Sequence, residues 1–171
     1  MNVKSPATAA DSVVSFVNVR KAYGRSVAVH DLNLDIGRGQ FVTLLGPSGC
    51  GKSTTLRIVA GVDMQDSGKI FVDGRLVCDT VFRIPPERRA IGMMFQDFAL
   101  FPHLSVADNV AFSLKMKGVP RPERLPRAHK LLDLVHMAAF ADRLPAQLSG
   151  GQQHRVALAR ALITEPQVLL L

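Results

Sequence analysis

The segment Gly46-Pro47-Ser48-Gly49-Cys50-Gly51-Lys52-Ser53-Thr54 constrains this chain more than any other. It fits the spacing G-x-x-x-x-G-K-[ST]. It follows an apolar run, Gln40 to Leu45, that reads as a strand buried on both faces. A helical segment, Lys52 to Ala60, comes after it. The residue types have physical reasons. Glycines let backbone N–H groups turn inward and approach phosphate oxygens closely. The helix N-terminus adds roughly half a positive charge. Lys52 can reach the β- and γ-phosphates of a nucleotide, and the Ser53 hydroxyl can ligate Mg²⁺. The loop alone does not choose between kinase, GTPase and transport ATPase. The chain carries no N-K-x-D type motif for reading guanine.

The 171 residues suggest one domain with room for a sub-domain. With 47% apolar and 20% charged residues the chain can bury a core, and disorder is excluded. No repeat is present. No uncharged apolar stretch is long enough to span a membrane, and MNVKSPATAADS lacks the apolar region of a secretory signal. A cytosolic chain is therefore expected. The 21 basic and 14 acidic residues give +7, without a long basic block, which suits a solvated mixed surface. Cys50 and Cys78 form no CxxC pair, and two small buried residues in a reducing compartment are expected.

The hydrophobic pattern orders the rest. Val13 to Val19 and Val27 to Ile36 alternate, predicting antiparallel strands with one wet face. Ile70 to Val77 predicts a hairpin turning at Asp73-Gly74. Ile91 to Phe95 predicts another short strand. Ser105 and Asp108 have capping-box spacing before a helix that carries Val106, Val110 and Leu114 on one face. Pro120, Pro122 and Pro126 mark a linker into a second helix with Ala128, Leu131, Leu132 and Val135 on one side. A third helix is expected from about Gly151 to Ile163, stopped by Glu165-Pro166. The final Gln167 to Leu171 reads as a buried strand lying beside the phosphate-loop strand. The order predicts an α/β fold with a helical insertion.

Leu148-Ser149-Gly150-Gly151-Gln152 opens the third helix and continues as QHRVALARAL. A Ser followed by two glycines at a helix start is an anion site by the same physics as the first loop, or an ordinary N-cap. With this run the chain resembles the nucleotide-binding subunits of ATP-binding-cassette (ABC) transporters, whose signature is LSGGQ. The resemblance covers about Ser12 to Leu171. It implies an α/β P-loop NTPase core with an N-terminal antiparallel β sub-domain and a helical sub-domain at about 97–148, after a tail at 1–11. It places Tyr23 where the family stacks an aromatic ring on adenine. Gln96 falls at the family's Q-loop, touching Mg²⁺ and the attacking water. Gly46 to Thr54 would hold ATP, with Lys52 and Gln96 catalytic and Ser53 and Gln96 on Mg²⁺. Leu148 to Gln152 would cap the ATP of a second subunit in a head-to-tail dimer.

Pro85-Pro86-Glu87-Arg88-Arg89 and IGMMFQDFALFPHLSVADNVAF are similar to importer ATPases for polyamines, ferric iron and sulfate, polyamine being the first expectation. The resemblance implies membrane permease partners near Gln96 and Phe98 to Val106, a solute-binding protein acting indirectly, and peripheral attachment to the cytoplasmic face of the membrane. An ABC protein without membrane partners, acting in translation or repair, is the alternative. A nucleic-acid-binding module is disfavoured by the few aromatics. In the family, the last strand runs into a Mg²⁺-binding Asp and a catalytic Glu. This sequence stops at Leu171, so it reads as an N-terminal fragment, truncated before that Asp and expected to be inactive by itself.

Overall fold

The computed structural model describes residues 12–171; the expected tail at 1–11 lies outside the described residues. The chain forms two compact units, one ending at Ile91 and one running from Gly92 to Leu171.

The first unit is built on a hairpin of β1 (Ser12–Tyr23) and β2 (Ser26–Gly37), closed by the tight turn at Gly24 and Arg25. Leu32, Leu34 and Ile36 are half-buried while Asn33 and Asp35 face water, the alternation the sequence predicts. β3 (Ser67–Val72) pairs with the other edge of β1, and β4 (Arg75–Cys78) completes an antiparallel sheet in the order β2-β1-β3-β4. Asp73 and Gly74 both take positive φ (53° and 69°) between β3 and β4, as a two-residue turn of this kind requires. Helix α1 (Lys52–Ala60) buries Ile58, Val59 and Ala60. They join a core with Val14, Phe16, Val19, Ile70, Val72 and Val77.

One expectation fails here. Gln40 to Leu45 is not a strand. No regular structure covers it, and Phe41 and Leu45 are 90% and 88% exposed. β-structure needs a partner for its N–H and C=O groups, and no described strand pairs with this run. Its residue types suit a buried strand, but apolar composition cannot supply the ladder.

The second unit begins with β5 (Ile91–Met93), which pairs with β6 (Val168–Leu170) in a two-stranded sheet. The last strand therefore pairs with β5. Gly92 is fixed by this packing, because a Cβ there would meet the Ala161 carbonyl oxygen and come within 3.0 Å of Pro166. The helices are α2 (Val106–Val110), α3 (Phe112–Met116), α4 (Arg121–Leu134) and α5 (Gly150–Leu162). Ser105 caps α2 by accepting from the Asp108 amide at 3.1 Å, as its spacing predicts. Val106, Val110, Leu114, Ala128, Leu132, Val156 and Ala159 form one core.

The linker expected around Pro120, Pro122 and Pro126 is instead the start of α4. Pro122 lies in the first turn, where a helical N–H has no partner to lose. Pro126 sits inside the helix and deprives the Pro122 carbonyl of its usual donor. Burial of Ala128 and Leu132 on the same helix outweighs that loss.

Candidate functional site

The loop from Gly46 to Thr54 is exposed over its first five residues and runs directly into α1. Gly51 is the helix N-cap, with φ 90°, and no side chain caps the helix. The amides of the first turn are thus left for an acceptor from outside the helix. Glycine is required twice. A Cβ at Gly51 would collide with the Ala28 carbonyl oxygen, and one at Gly46 would lie 2.7 Å from the Cys50 sulfur. The Lys52 ammonium folds back over the loop and donates to the carbonyls of Gly46 (2.6 Å) and Pro47 (2.8 Å), with Cys50 Sγ at 3.5 Å. A cation is therefore poised above a cluster of free amides, an arrangement that can bind an anion with several oxygens. Cys50 is exposed, unlike the buried residue expected from the sequence; Cys78 is buried and both thiols are free.

The far end of α1 is held as firmly. Gly61, at φ 81°, closes the helix through its amide. The buried Arg89 guanidinium donates to the carbonyls of Ile58 (2.9 Å), Val59 (2.8 Å) and Ile84 (2.8 Å). Arg83 donates to the Gly61 carbonyl. Two cations thus meet the negative end of the helix that carries the loop. Burial lowers the Arg89 pKa, opposed by the neighbouring Cys78.

Tyr23 ends β1 beside this helix. Its hydroxyl donates to the Asp63 carboxylate and also interacts with the Thr54 side chain. Its ring is 49% exposed. The Lys21 ammonium lies 5.0 Å from the ring centroid and is itself held by Asp63 at 3.7 Å and Asp66 at 3.5 Å. The hydrogen bond to Asp63 raises the Tyr23 pKa. For Asp63, burial pushes the pKa up, but the Tyr23 hydroxyl, the Met64 amide and the Lys21 and Arg57 cations outweigh it and the net shift is down. The structure thus brings Tyr23 to the helix of the phosphate loop.

In the second unit Gln96 is exposed in a turn just after β5. Phe98 and Ala99, immediately beyond it, both take positive φ (60° and 45°). Arg160 on α5 holds their carbonyls, each at 2.6 Å. Ser149 caps α5, accepting from the Gln152 amide at 3.3 Å, while the Gln152 side chain accepts from the Ser149 amide at 2.8 Å. Leu148 is buried in the core of this unit. Gly150 and Gly151 are different. Neither has positive φ, and a Cβ on either would meet nothing within 4 Å. Nothing in the chain itself requires glycine there, although each costs the helix relative to alanine.

Several supporting residues carry no sequence signal. Asp63 and Lys21 sit in no recognisable spacing, and Arg160 shows only as a member of the run behind Leu148 to Gln152. Arg89 stands out only as the end of the Pro85 to Arg89 segment.

A family model described as ABC transporter matches residues 29–171. The chain belongs to that family. It is 47% identical over 159 residues to the spermidine/putrescine import ATP-binding protein PotA of Haemophilus influenzae, covering 93% of this chain and 42% of the relative. It is 53% identical over 153 residues to the Fe(3+) ions import ATP-binding protein FbpC of Pasteurella multocida, covering 90% of this chain and 43% of the relative. Among solved structures, the dimeric post-hydrolysis state of the ATP-binding cassette MJ0796, bound to ADP and Pi, matches with a TM-score of 0.81 at 36% identity, covering 91% of this chain and 72% of that one. The fold is therefore that of an ABC ATPase cassette. The chain spans less than half the length of the two import relatives.

Proposed function

We propose that the chain is the nucleotide-binding part of an ABC importer ATPase subunit, coupling ATP binding and hydrolysis to solute uptake. The observation that carries this reading is the phosphate loop. Uncapped amides at the start of α1, a left-handed Gly51 and the Lys52 ammonium converge on one exposed position. In this reading Gly46 to Thr54 holds the phosphates and Tyr23 the adenine.

Mg²⁺ fits the donor set. It favours few protein ligands plus phosphate oxygens and water, and the exposed Ser53 hydroxyl offers one such ligand. Bound there, it would neutralise charge on the phosphates. Lys52 stabilises charge at the β- and γ-phosphates, so the catalysis is largely positioning and electrostatics.

The bare glycines at 150 and 151 support a surface approached closely by another body. We assign that body as the nucleotide bound to a second copy of the subunit, capped by Ser149, Gly150, Gly151 and Gln152. The helical sub-domain is taken as residues 97–148. An open depression of about 350 Å³ lined by Met93, Phe95, Ala99, Phe101, Phe112 and Arg160 is the proposed seat for a permease segment. No helix among the described residues is long and apolar enough to cross a membrane. Attachment to the membrane would then be peripheral, through that contact. Polyamine is the first solute proposed and ferric iron the second, on the names of the relatives alone. Uptake of labelled spermidine against ferric iron in a strain lacking the gene separates them.

The test of the nucleotide reading is calorimetric titration with MgATP. Lys52→Ala removes a charge-assisted contact worth about 1.5–3 kcal/mol, so affinity should fall at least roughly tenfold. Unchanged affinity would overturn the reading.

A further inference from the structure

Tyr23 is anchored on more sides than a turn residue needs. Its hydroxyl is bonded to Asp63, which lies three residues beyond the end of α1. The Lys21 ammonium covers the ring at 5.0 Å from the centroid. That ammonium is fixed in turn by Asp63 and Asp66, and its side chain is only 14% exposed. Asp66 also accepts from the Ala22 amide at 2.6 Å and donates its own amide to the Arg20 carbonyl at 2.8 Å. The segment 63–66 therefore grips the last residues of β1 through backbone and side chains alike. That segment continues directly from the helix that carries the phosphate loop.

We propose that Asp63 and Lys21 are positioning residues that make Tyr23 a pre-oriented, single-faced platform for a purine base, held at a fixed distance from the phosphate loop. The proposal rests on the reading of Tyr23 as the base-stacking residue. A phenol ring has two torsions. The bond at its hydroxyl and the ammonium at one face leave it little freedom, so little ordering is left for the moment of binding. With one face occupied by Lys21, only the other can take a base. A cation on the covered face draws π density toward itself and leaves the open face less negative, which favours an electron-rich purine over a pyrimidine.

Tyr23 is the only tyrosine and the chain has no tryptophan, so tyrosine emission reports this ring alone. The experiment titrates the full chain with MgATP, MgCTP and magnesium tripolyphosphate, following emission and affinity, in the wild type, Asp63→Ala, Lys21→Met and Tyr23→Phe. MgATP should quench Tyr23 and tripolyphosphate should not. If MgATP leaves the emission as tripolyphosphate does, Tyr23 is not the base platform and both readings fall. Given the quench, Asp63→Ala should weaken MgATP roughly two- to tenfold. It should leave tripolyphosphate affinity unchanged, which shows an intact phosphate loop. Lys21→Met should narrow the preference for MgATP over MgCTP. Tyr23→Phe keeps the ring but loses the tether, and should match Asp63→Ala. If MgATP quenches but Asp63→Ala binds it as tightly as the wild type, the positioning role is overturned and the platform reading stands. If Asp63→Ala weakens tripolyphosphate equally, the residue is merely structural and the proposal is likewise overturned.

Discussion

Two cases show how burial and partnership decide what a charged or polar group does here. Arg89 is a buried cation that donates to the carbonyls of Ile58, Val59, Ile84 and Val77. It is tolerated because those carbonyls include the last turn of α1, where the helix dipole is negative. Gly61 must be glycine as a result, since a Cβ would lie 2.7 Å from the Arg89 Nε. Tyr23 and Asp63 form the other case. The phenol stays protonated and the carboxylate stays ionised because each state suits the bond between them. The phenol therefore titrates above its ordinary 10.0 in the fold. Its bond contributes stability below that value and loses it as pH rises through the folded pKa. Asp63 runs the other way, contributing above its ordinary 3.8 and losing the contribution as pH falls through its lowered value. A near-ultraviolet titration sees Tyr23 alone. Its midpoint should lie above 10.0 in the folded chain and drop toward that value in Asp63→Asn or in urea. An identical midpoint in the folded variant and the wild type would show that the carboxylate does not act on the phenol.

At the scale of elements, local chemistry and packing compete openly. Asn109 in α2 is fully buried and stitches the preceding loop. Its side-chain amide donates to the carbonyls of Phe101, Leu104 and Ser105, each at 3.0 Å, and its oxygen accepts from the Phe101 amide at 2.8 Å. Every polar atom is satisfied, so a polar residue in the core specifies the entry to the helices. Helix α4 runs through Pro126 because its apolar side is buried, so packing overrides propensity. Helix α5 keeps two glycines that its own packing does not demand. Gly151→Ala should therefore stabilise the chain, by up to about 1 kcal/mol, in a thermal melt. The same variant should weaken nucleotide-dependent self-association, because the added methyl stands where the second nucleotide is proposed to approach. A lower melting temperature would show that something within the chain needs glycine there.

Over the whole molecule, the segment Gln40 to Leu45 is where composition and structure disagree most. Phe41 and Leu45 stand almost wholly in water. Each would gain about 1.5–3 kcal/mol if buried, so their exposure marks a surface ready to associate. Replacing both with serine tests the arrangement directly. If they are exposed, as found, the urea midpoint should stay within the equivalent of about 0.5 kcal/mol, while binding of a hydrophobic dye and light scattering fall. A loss of several kcal/mol would mean that the run is a buried strand after all, as its residue types suggest.

The sequence by itself determined the features that depend on near neighbours. The β1–β2 and β3–β4 hairpins follow from period-two alternation and from turn residues that accept positive φ. The caps at Ser105 and Ser149 follow from side chains that reach an amide three residues on. The phosphate loop and the Ser149-Gly150-Gly151 helix start were legible because their chemistry lies in consecutive backbone groups. Tertiary structure alone decided what depends on distant partners. Whether Phe41 to Leu45 is a strand rests on a ladder from elsewhere in the chain, and β6 pairs with β5 by the same non-local logic. The grip of Asp63 on Tyr23, of Arg89 on α1 and of Arg160 on Phe98 and Ala99 joins residues 40, 31 and about 60 positions apart. No spacing encodes such contacts, because a hydrogen bond is fixed by where two atoms meet in space and not by how many residues lie between them.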